Sequence, residues 1–375
     1  MKQYIYADNA ATTQLDPQAF EAMIPWLRDE YGNASQPYSF SRKPKKAIAE
    51  ARAVIAECIN ADPEEIYFTS GGTESDNWAI KGSAFSDSGH HATITSQIEH
   101  HAVLHSCEAT ERIGYPVAYL PADEEGRILP ETLDRYISDR TRLVSVMTAN
   151  NEIGTIQDIA GLADIAHAHG AMFHTDAVQA VGHIPIDVKA LDVDMLSASA
   201  HKFNGPRGIG FLYIRKGIKV CPFMDGGGQE NKNRAGTENT AAIVGMSIAL
   251  MNNTQNMRNT SNSIRSLENL LITKLIEEGL VFRRNGANTL PGLISLSFQN
   301  SNGEMLLHRM DLKGICVSTG SACNGSSDEI SHVLQAIHLP DEYAKGTIRI
   351  SLGKHNTESE ILKITESLKQ ILMPK

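Results

Sequence analysis

Lys202 follows the small-residue run Ser197-Ala-Ser-Ala-His201 and leads into the glycine-rich turn Phe203-Asn-Gly-Pro-Arg-Gly-Ile-Gly210. Ordinary surface lysines lie more often on helix faces. One that leaves a strand of small residues is placed for a partly desolvated site, where its amine has a lowered pKa and can condense with an aldehyde. Asp176 ends the apolar stretch Phe173-His-Thr-Asp176, and Gln179 follows just beyond it. A carboxylate there either caps a helix or faces a ligand in the crevice at the carboxyl ends of strands. In Thr69-Ser-Gly-Gly-Thr73 the glycines permit a tight turn, and Thr73 with the free amides of a helix start offers a place for a phosphate. Alone, that segment reads more readily as a plain structural turn than as a phosphate site. It lacks both the lysine of a nucleotide-binding P-loop and the G-x-G-x-x-G pattern of a dinucleotide fold. Cys323 lies in Ser318-Thr-Gly-Ser-Ala-Cys-Asn-Gly-Ser-Ser-Asp328, a run that favours an exposed loop. A free cysteine is usually a small buried hydrophobe, so a thiol in such company points to chemistry.

The elements that must position these groups alternate. Residues 47–59 read as helix, 65–69 as strand and 75–85 as helix. Apolar runs then recur at 93–96, 143–147, 171–174, 195–199 and 210–214, with a helical pattern at 159–169. This alternation predicts an α/β domain with a largely parallel sheet. Helices are expected at 237–251 and 263–278, with the change of domain in the polar stretch 252–262 between them. Strands at 293–298 and 347–351 precede a last helix that opens on the capping box Thr357-Glu-Ser-Glu360 and carries Ile361, Ile364, Leu368 and Ile371 on one face. The expected division is a large domain at 15–255 and a smaller α+β domain formed by 1–14 and 256–375.

At 375 residues, 41% hydrophobic and 21% charged, the chain is ordinary globular material long enough for a sizeable core. A formal net charge of −10 argues against a large nonspecific nucleic-acid surface. The opening residues show no secretory pattern and no apolar run approaches bilayer length, so a cytoplasmic protein without membrane or direct nucleic-acid partners is expected. Five scattered cysteines, none in a C-x-x-C pair, disfavour a disulfide framework and a zinc site. His101 and His105 have ligand spacing on a helix, but neither an HExxH glutamate nor a third ligand accompanies them, and no metal is expected.

An acid for a pyridinium nitrogen, a lysine for an aldehyde and a glycine–threonine cradle for a phosphate are together the requirements of pyridoxal 5'-phosphate. The chain resembles the cysteine desulfurases, pyridoxal-phosphate enzymes of the class V aminotransferase superfamily. The resemblance runs through ADNAATT (7–13), TSGGTESDNWAIKG (69–82), EHHAVL (99–104), NNEIGTIQDI (150–159), HTDAVQAVG (174–182), SASAHKFNGPRGIG (197–210), RAGTEN (234–239), STGSAC (318–323) and IRISLG (348–353). It implies fold type I, with a mostly parallel seven-stranded sheet in the large domain, and a homodimer.

The resemblance also implies roles. Lys202 would hold the cofactor aldehyde, Asp176 the pyridine nitrogen and Gln179 the ring hydroxyl. His100 would stack on the ring and help move protons. Gly72, Thr73, Ser199 and His201, with Thr237 of a neighbouring subunit, would bind the phosphate. Asn151 and Arg349 would hold the substrate carboxylate, arginine gripping it through two parallel hydrogen bonds. Cys323, on a mobile arm, would take sulfur from L-cysteine as a persulfide, releasing alanine, and pass it to an acceptor protein in iron–sulfur assembly, tRNA thiolation or DNA phosphorothioation. A selenocysteine lyase, an aminotransferase or a noncatalytic sulfur-carrier scaffold are the alternatives on the same fold. Lys232 stands where the family commonly has glycine, so a different local backbone is expected beside Thr237. The chain stops at Lys375, soon after its last helix, whereas housekeeping members often carry a longer docking tail; acceptors are therefore expected to bind near the Cys323 loop.

Overall fold

The computed structural model of the chain describes residues 4–86, 89, 91–319 and 330–373. Its centre is a seven-stranded sheet with the spatial order Ile66–Thr69, Gly210–Ile214, Met195–Ser199, Met172–Asp176, Thr141–Ser145, Ala92–Ser96 and Val117–Leu120. Gly210–Ile214 runs against both its neighbours, and the other pairings are parallel. This is the α/β class and mostly parallel sheet that the alternating pattern predicts. The central strands are buried from end to end, as a sheet covered by helices on both faces requires. Their carboxyl ends at Ser96, Ser145, Asp176 and Ser199 share one rim of the sheet. The segments that follow them, carrying His100, Asn151, Gln179 and Lys202, therefore converge on a single crevice.

Val117–Leu120 escapes the sequence pattern because it is a half-buried edge strand with no alternation. The helices Pro17–Arg28, His101–Glu111 and Gly303–Leu312 also emerge only in three dimensions. The two helices expected at 237–251 and 263–278 are one, Thr240–Glu277, a single helix of 38 residues. Its first third buries Ile243, Met246, Ala249 and Leu250 in the core of the large sheet. Its last third buries Ile264, Leu267, Leu271 and Leu275 in a second core. The polar stretch between them lies over neither core, so the loss of apolar residues marks a gap in burial and not an end of the helix.

The second core also takes Ile5 and Ala7 from the start of the chain and Ile361, Ile364 and Leu368 from its last helix, Glu358–Leu372. It rests on an antiparallel sheet of Arg283–Asn285, Leu293–Ser297 and Thr347–Ser351 and on the short parallel pair Ile5–Tyr6 and Ile315–Cys316. The last helix has the predicted capping box: the Thr357 side chain accepts from Glu360 N and the Glu360 carboxylate accepts from Thr357 N. Among the described residues no helix is long and apolar enough to cross a membrane.

Candidate functional site

Asp176 closes its strand in full burial, and its Oδ1 accepts a 2.9 Å hydrogen bond from Val178 N. Burial pushes its carboxyl up to about 6, opposed by that amide and by the Lys202 amine. The adjacent His174 is locked between Ser145 Oγ at 2.9 Å and Ser197 Oγ at 3.0 Å, and burial holds it neutral, down to about 3. Gln179 Nε2 donates to Ala10 O at 3.0 Å. The segment Ala7–Thr13 thus crosses the rim of the sheet from the far end of the sequence.

Lys202 ends the short turn Ala200–Lys202 that follows the strand Met195–Ser199. Its Nζ donates to the carbonyls of Ala10 and Ala11 at 2.6 and 3.0 Å. His100 caps the helix His101–Glu111, its Nδ1 accepting from Ala102 N at 3.1 Å. That contact leaves the proton of the neutral ring on Nε2. Burial first, then the Lys202 charge, lowers His100 to about 4, and the same two causes lower His201 to about 4. Both imidazoles are therefore neutral at physiological pH.

The helix Gly72–Phe85 begins without a side-chain cap. Gly71, at φ +150°, makes the turn into it. A Cβ on Gly72 would lie 2.5 Å from Val178 Cγ2, so only glycine lets the helix start rest on the segment beyond Asp176. Gly72, Thr73, Ser199 and His201 all line the cavity that Lys202, Asp176 and His100 line, and its volume is about 360 Å³.

Arg349 and Asn151 meet at the other end. Arg349, buried in the strand Thr347–Ser351, donates from Nη1 to Asn151 O at 2.8 Å and from Nη2 to Asp8 Oδ1 at 2.9 Å, while its Nε is buried with no hydrogen-bond partner among the described residues. Glu152, fully buried beside it, accepts from Ser331 Oγ at 2.5 Å, and burial pushes it up to about 7 against the Arg349 charge. Ser318 exchanges backbone hydrogen bonds with Arg349, so residues 318 and 331 both reach this end of the cavity. Cys323, between them in sequence, lies outside the described residues.

Thr237 is exposed and lines a separate depression with Arg234, Gly236 and Gly208; within this chain it does not join the other phosphate candidates. Lys232 has φ +69°, following Glu230 at +41° and Asn231 at +55°. The backbone there holds the left-handed conformation that glycine favours, at a cost to the lysine. The buried Glu230 carboxylate, paired with Arg52 and accepting from Phe68 N, anchors the turn.

Pyridoxal phosphate suits this donor set. An uncapped helix start with two hydroxyls and a neutral imidazole suits a phosphate; a buried carboxylate suits a pyridinium nitrogen, an amine suits an aldehyde, and an arginine with an unpartnered buried N–H suits a carboxylate. Several lining residues were not singled out in the sequence: Asp8, Asp76, Glu152 and His332. Asp76 stands three residues after Thr73 on one helix face, and Glu152 follows Asn151, so spacing carried a signal for both. The carbonyls of Ala10 and Ala11 carried none.

The class-V aminotransferase family model matches residues 5–364. The chain is 48% identical to the cysteine desulfurase IscS of Dictyoglomus turgidum over 376 residues, covering 99% of this chain and 95% of that protein. Among solved structures, a NifS-like protein superposes with a TM-score of 0.93 at 36% identity, over 99% of both chains. The structure of SspA in complex with cysteine superposes with a TM-score of 0.84 at 37% identity, over 94% of this chain and 100% of the other.

Proposed function

The chain belongs to the class-V aminotransferase family and within it to the cysteine desulfurases, and from this premise we propose that it takes sulfur from L-cysteine, leaving L-alanine and a persulfide on Cys323. The family works with pyridoxal phosphate on fold type I. One observation carries the site assignment: Lys202, Asp176, His100, Gly72, Thr73 and Arg349, spread over nearly 280 positions of sequence, line one cavity. The likeness to a protein solved with cysteine supports that amino acid as substrate.

When bound, pyridoxal phosphate supplies an electron sink that eases bond breaking at the substrate's carbons. The chain's residues do the rest. Lys202 holds the aldehyde, and its two carbonyl partners orient the amine. Asp176 would pair with the pyridine nitrogen and Gln179 would serve the ring hydroxyl. Gly72 and Thr73 at the helix start, with Ser199 and His201, hold the phosphate. Arg349 and Asn151 hold the substrate carboxylate. His100, neutral with its proton on Nε2, can hold or move a proton beside Lys202. In the net reaction the Cβ–S bond of cysteine breaks and an S–S bond to Cys323 Sγ forms. Both sulfurs are oxidised, the carbon is reduced, and the proton lost from the Cys323 thiol balances the one gained at Cβ.

Thr237, turned away from this cavity, acts across a homodimer on the neighbouring subunit's phosphate. The division into 15–255 and 1–14 with 256–375 is supported by the separate core that Ile5 and Ala7 build with residues from Ile264 to Ile371, although Leu290, Leu293, Val333, Leu334, Ile337 and Ala344 pack into the core of the large sheet. The acceptor is another protein, in the cytoplasm, serving iron–sulfur assembly, tRNA thiolation or DNA phosphorothioation.

The test is purified protein mixed with L-cysteine. A visible pyridoxal absorbance band, alanine release and a persulfide mapped to Cys323 are expected. Cys323→Ser should keep the band and its response to cysteine but release no alanine; normal alanine output from that variant removes Cys323 from the reaction.

A further inference from the structure

Asp76 lies on the helix Gly72–Phe85, one turn beyond Thr73, and is 1% exposed on the floor of the cavity. Its Oδ1 has no hydrogen-bond partner. The nearest cationic candidate, His174 Nε2, is 3.8 Å away, too far for a hydrogen bond. That ring is neutral and already engaged by Ser145 and Ser197. No ion pair forms there. Among the described residues, the Ser197 hydroxyl is the group that favours a charge on Asp76.

Asp176, on the same cavity floor, has what Asp76 lacks: an amide donor from Val178 and the attraction of Lys202. The titratable groups that act on Asp76 from neighbouring elements are all acids or neutral: Asp176 and His174 from the strand Met172–Asp176, and Glu99 beyond the strand Ala92–Ser96. Two buried carboxylates lining one cavity, only one of them within the pull of a cation, resist being ionised together. An ionised Asp76 would leave a buried anionic oxygen bare, whereas a protonated Asp76 carries a neutral O–H.

We propose that Asp76 is a positioning residue held as a neutral carboxylic acid, and that by keeping the proton of the pair it leaves Asp176 as the ionised member that faces the pyridine nitrogen. The directions of titration agree. Burial, then Asp176, drives the Asp76 carboxyl well above its usual range, while Asp176 rises only to about 6. The charge state of Asp76 stands on the protein alone; its consequence for the pyridine nitrogen rests on the proposed cofactor.

The experiment has two arms. In the first, infrared spectra of the purified protein at neutral pH are compared with those of Asp76→Asn. The wild-type-minus-variant difference should contain the C=O stretch of one protonated carboxylic acid; a carboxylate band in its place overturns the proposal. In the second, pyridoxal phosphate carrying ¹⁵N in its ring is bound to each protein, and nitrogen protonation is read by NMR and affinity by titration. Asp76→Asn, an isostere of the neutral acid, should keep the protonated-nitrogen signal and the affinity within about threefold. Asp76→Ala, which also carries no charge, should likewise keep the protonated-nitrogen signal, with affinity falling at most about tenfold for the space it opens. Loss of the protonated signal in either variant, which would mean that a charge at position 76 had been removed, defeats the assignment. Wild-type protein that binds no pyridoxal phosphate defeats the functional reading instead, and the infrared arm still decides Asp76.

Discussion

The two ends of the cavity solve the same electrostatic problem differently. At the end proposed to hold the cofactor ring, Asp76 and Asp176 lie buried with no arginine among their partners in the described residues, and on the proposal above a proton limits the excess negative charge. At the substrate end, Asp8 and Glu152 lie beside Arg349, whose guanidinium stays charged at any physiological pH. Lys202, tied to Ala10 and Ala11, stands between them. A proton can be redistributed when a cationic ring arrives, so the ring end can adjust its charge to a cofactor. A fixed arginine cannot adjust, but it can exchange one carboxylate for another, and its Nε is already unpartnered. On the proposed assignment, adaptable charge faces the cofactor and permanent charge faces the substrate.

The largest effect is expected where the two ends join. Lys202→Ala should abolish the covalent cofactor band and the activity together, leaving both acid clusters folded; a Schiff base still reducible in that variant would move the cofactor lysine elsewhere. Next comes the substrate end. Truncating one partner of a buried charged pair costs about 2–5 kcal/mol, so Arg349→Ala should raise the KM for cysteine strongly with little change in cofactor affinity. An unchanged KM would show that the carboxylate is held by other groups.

Glu152 sharpens the contrast through pH. Its folded carboxyl is raised to about 7 from the usual 4.5, so the native state binds the proton more tightly than the unfolded chain. The stability this contributes is complete below pH 4.5 and is lost as pH rises through 7. At ~1.4 kcal/mol per unit the loss reaches roughly 3 kcal/mol. Urea midpoints at pH 5 and 8 should therefore fall less in Glu152→Gln than in wild type, the remaining slope coming from the ring-end acids and Glu99, itself raised to about 8 by burial. Equal slopes would mean that Arg349 keeps Glu152 ionised throughout. The smallest effect belongs outside both ends: Thr357→Ala removes a helix cap at a cost of ~1 kcal/mol, lowering the melting temperature without altering the visible band. A changed band would tie the last helix to the site.

Much of the architecture was legible in local pattern. The strands at 195–199 and 210–214 coincide with their apolar runs, and the capping box marks the last helix to the residue. Side-chain periodicity and turn chemistry are properties of neighbours in sequence. The same holds for Lys202, Asp176 and Gly72: strand-to-turn junctions are visible as residue types. The polar middle of Thr240–Glu277 misled because polarity reports burial, and that stretch passes between two cores while its backbone stays helical. Val117–Leu120 was illegible for the converse reason, an edge strand too exposed to carry a pattern.

From the sequence alone came the class of fold, the chemistry its residue types can perform and the strand ends where that chemistry sits, because each depends on residues within a few positions of one another. Only the tertiary structure decided that Ala10 and Ala11 lend their carbonyls to Lys202, that Arg349 binds the Asn151 carbonyl across nearly 200 positions, and that Asp76 and Asp176 line one cavity. It also decided which acids are pushed toward their neutral form. Ionisation follows the local dielectric and the partners in reach, and both are created by packing distant segments together.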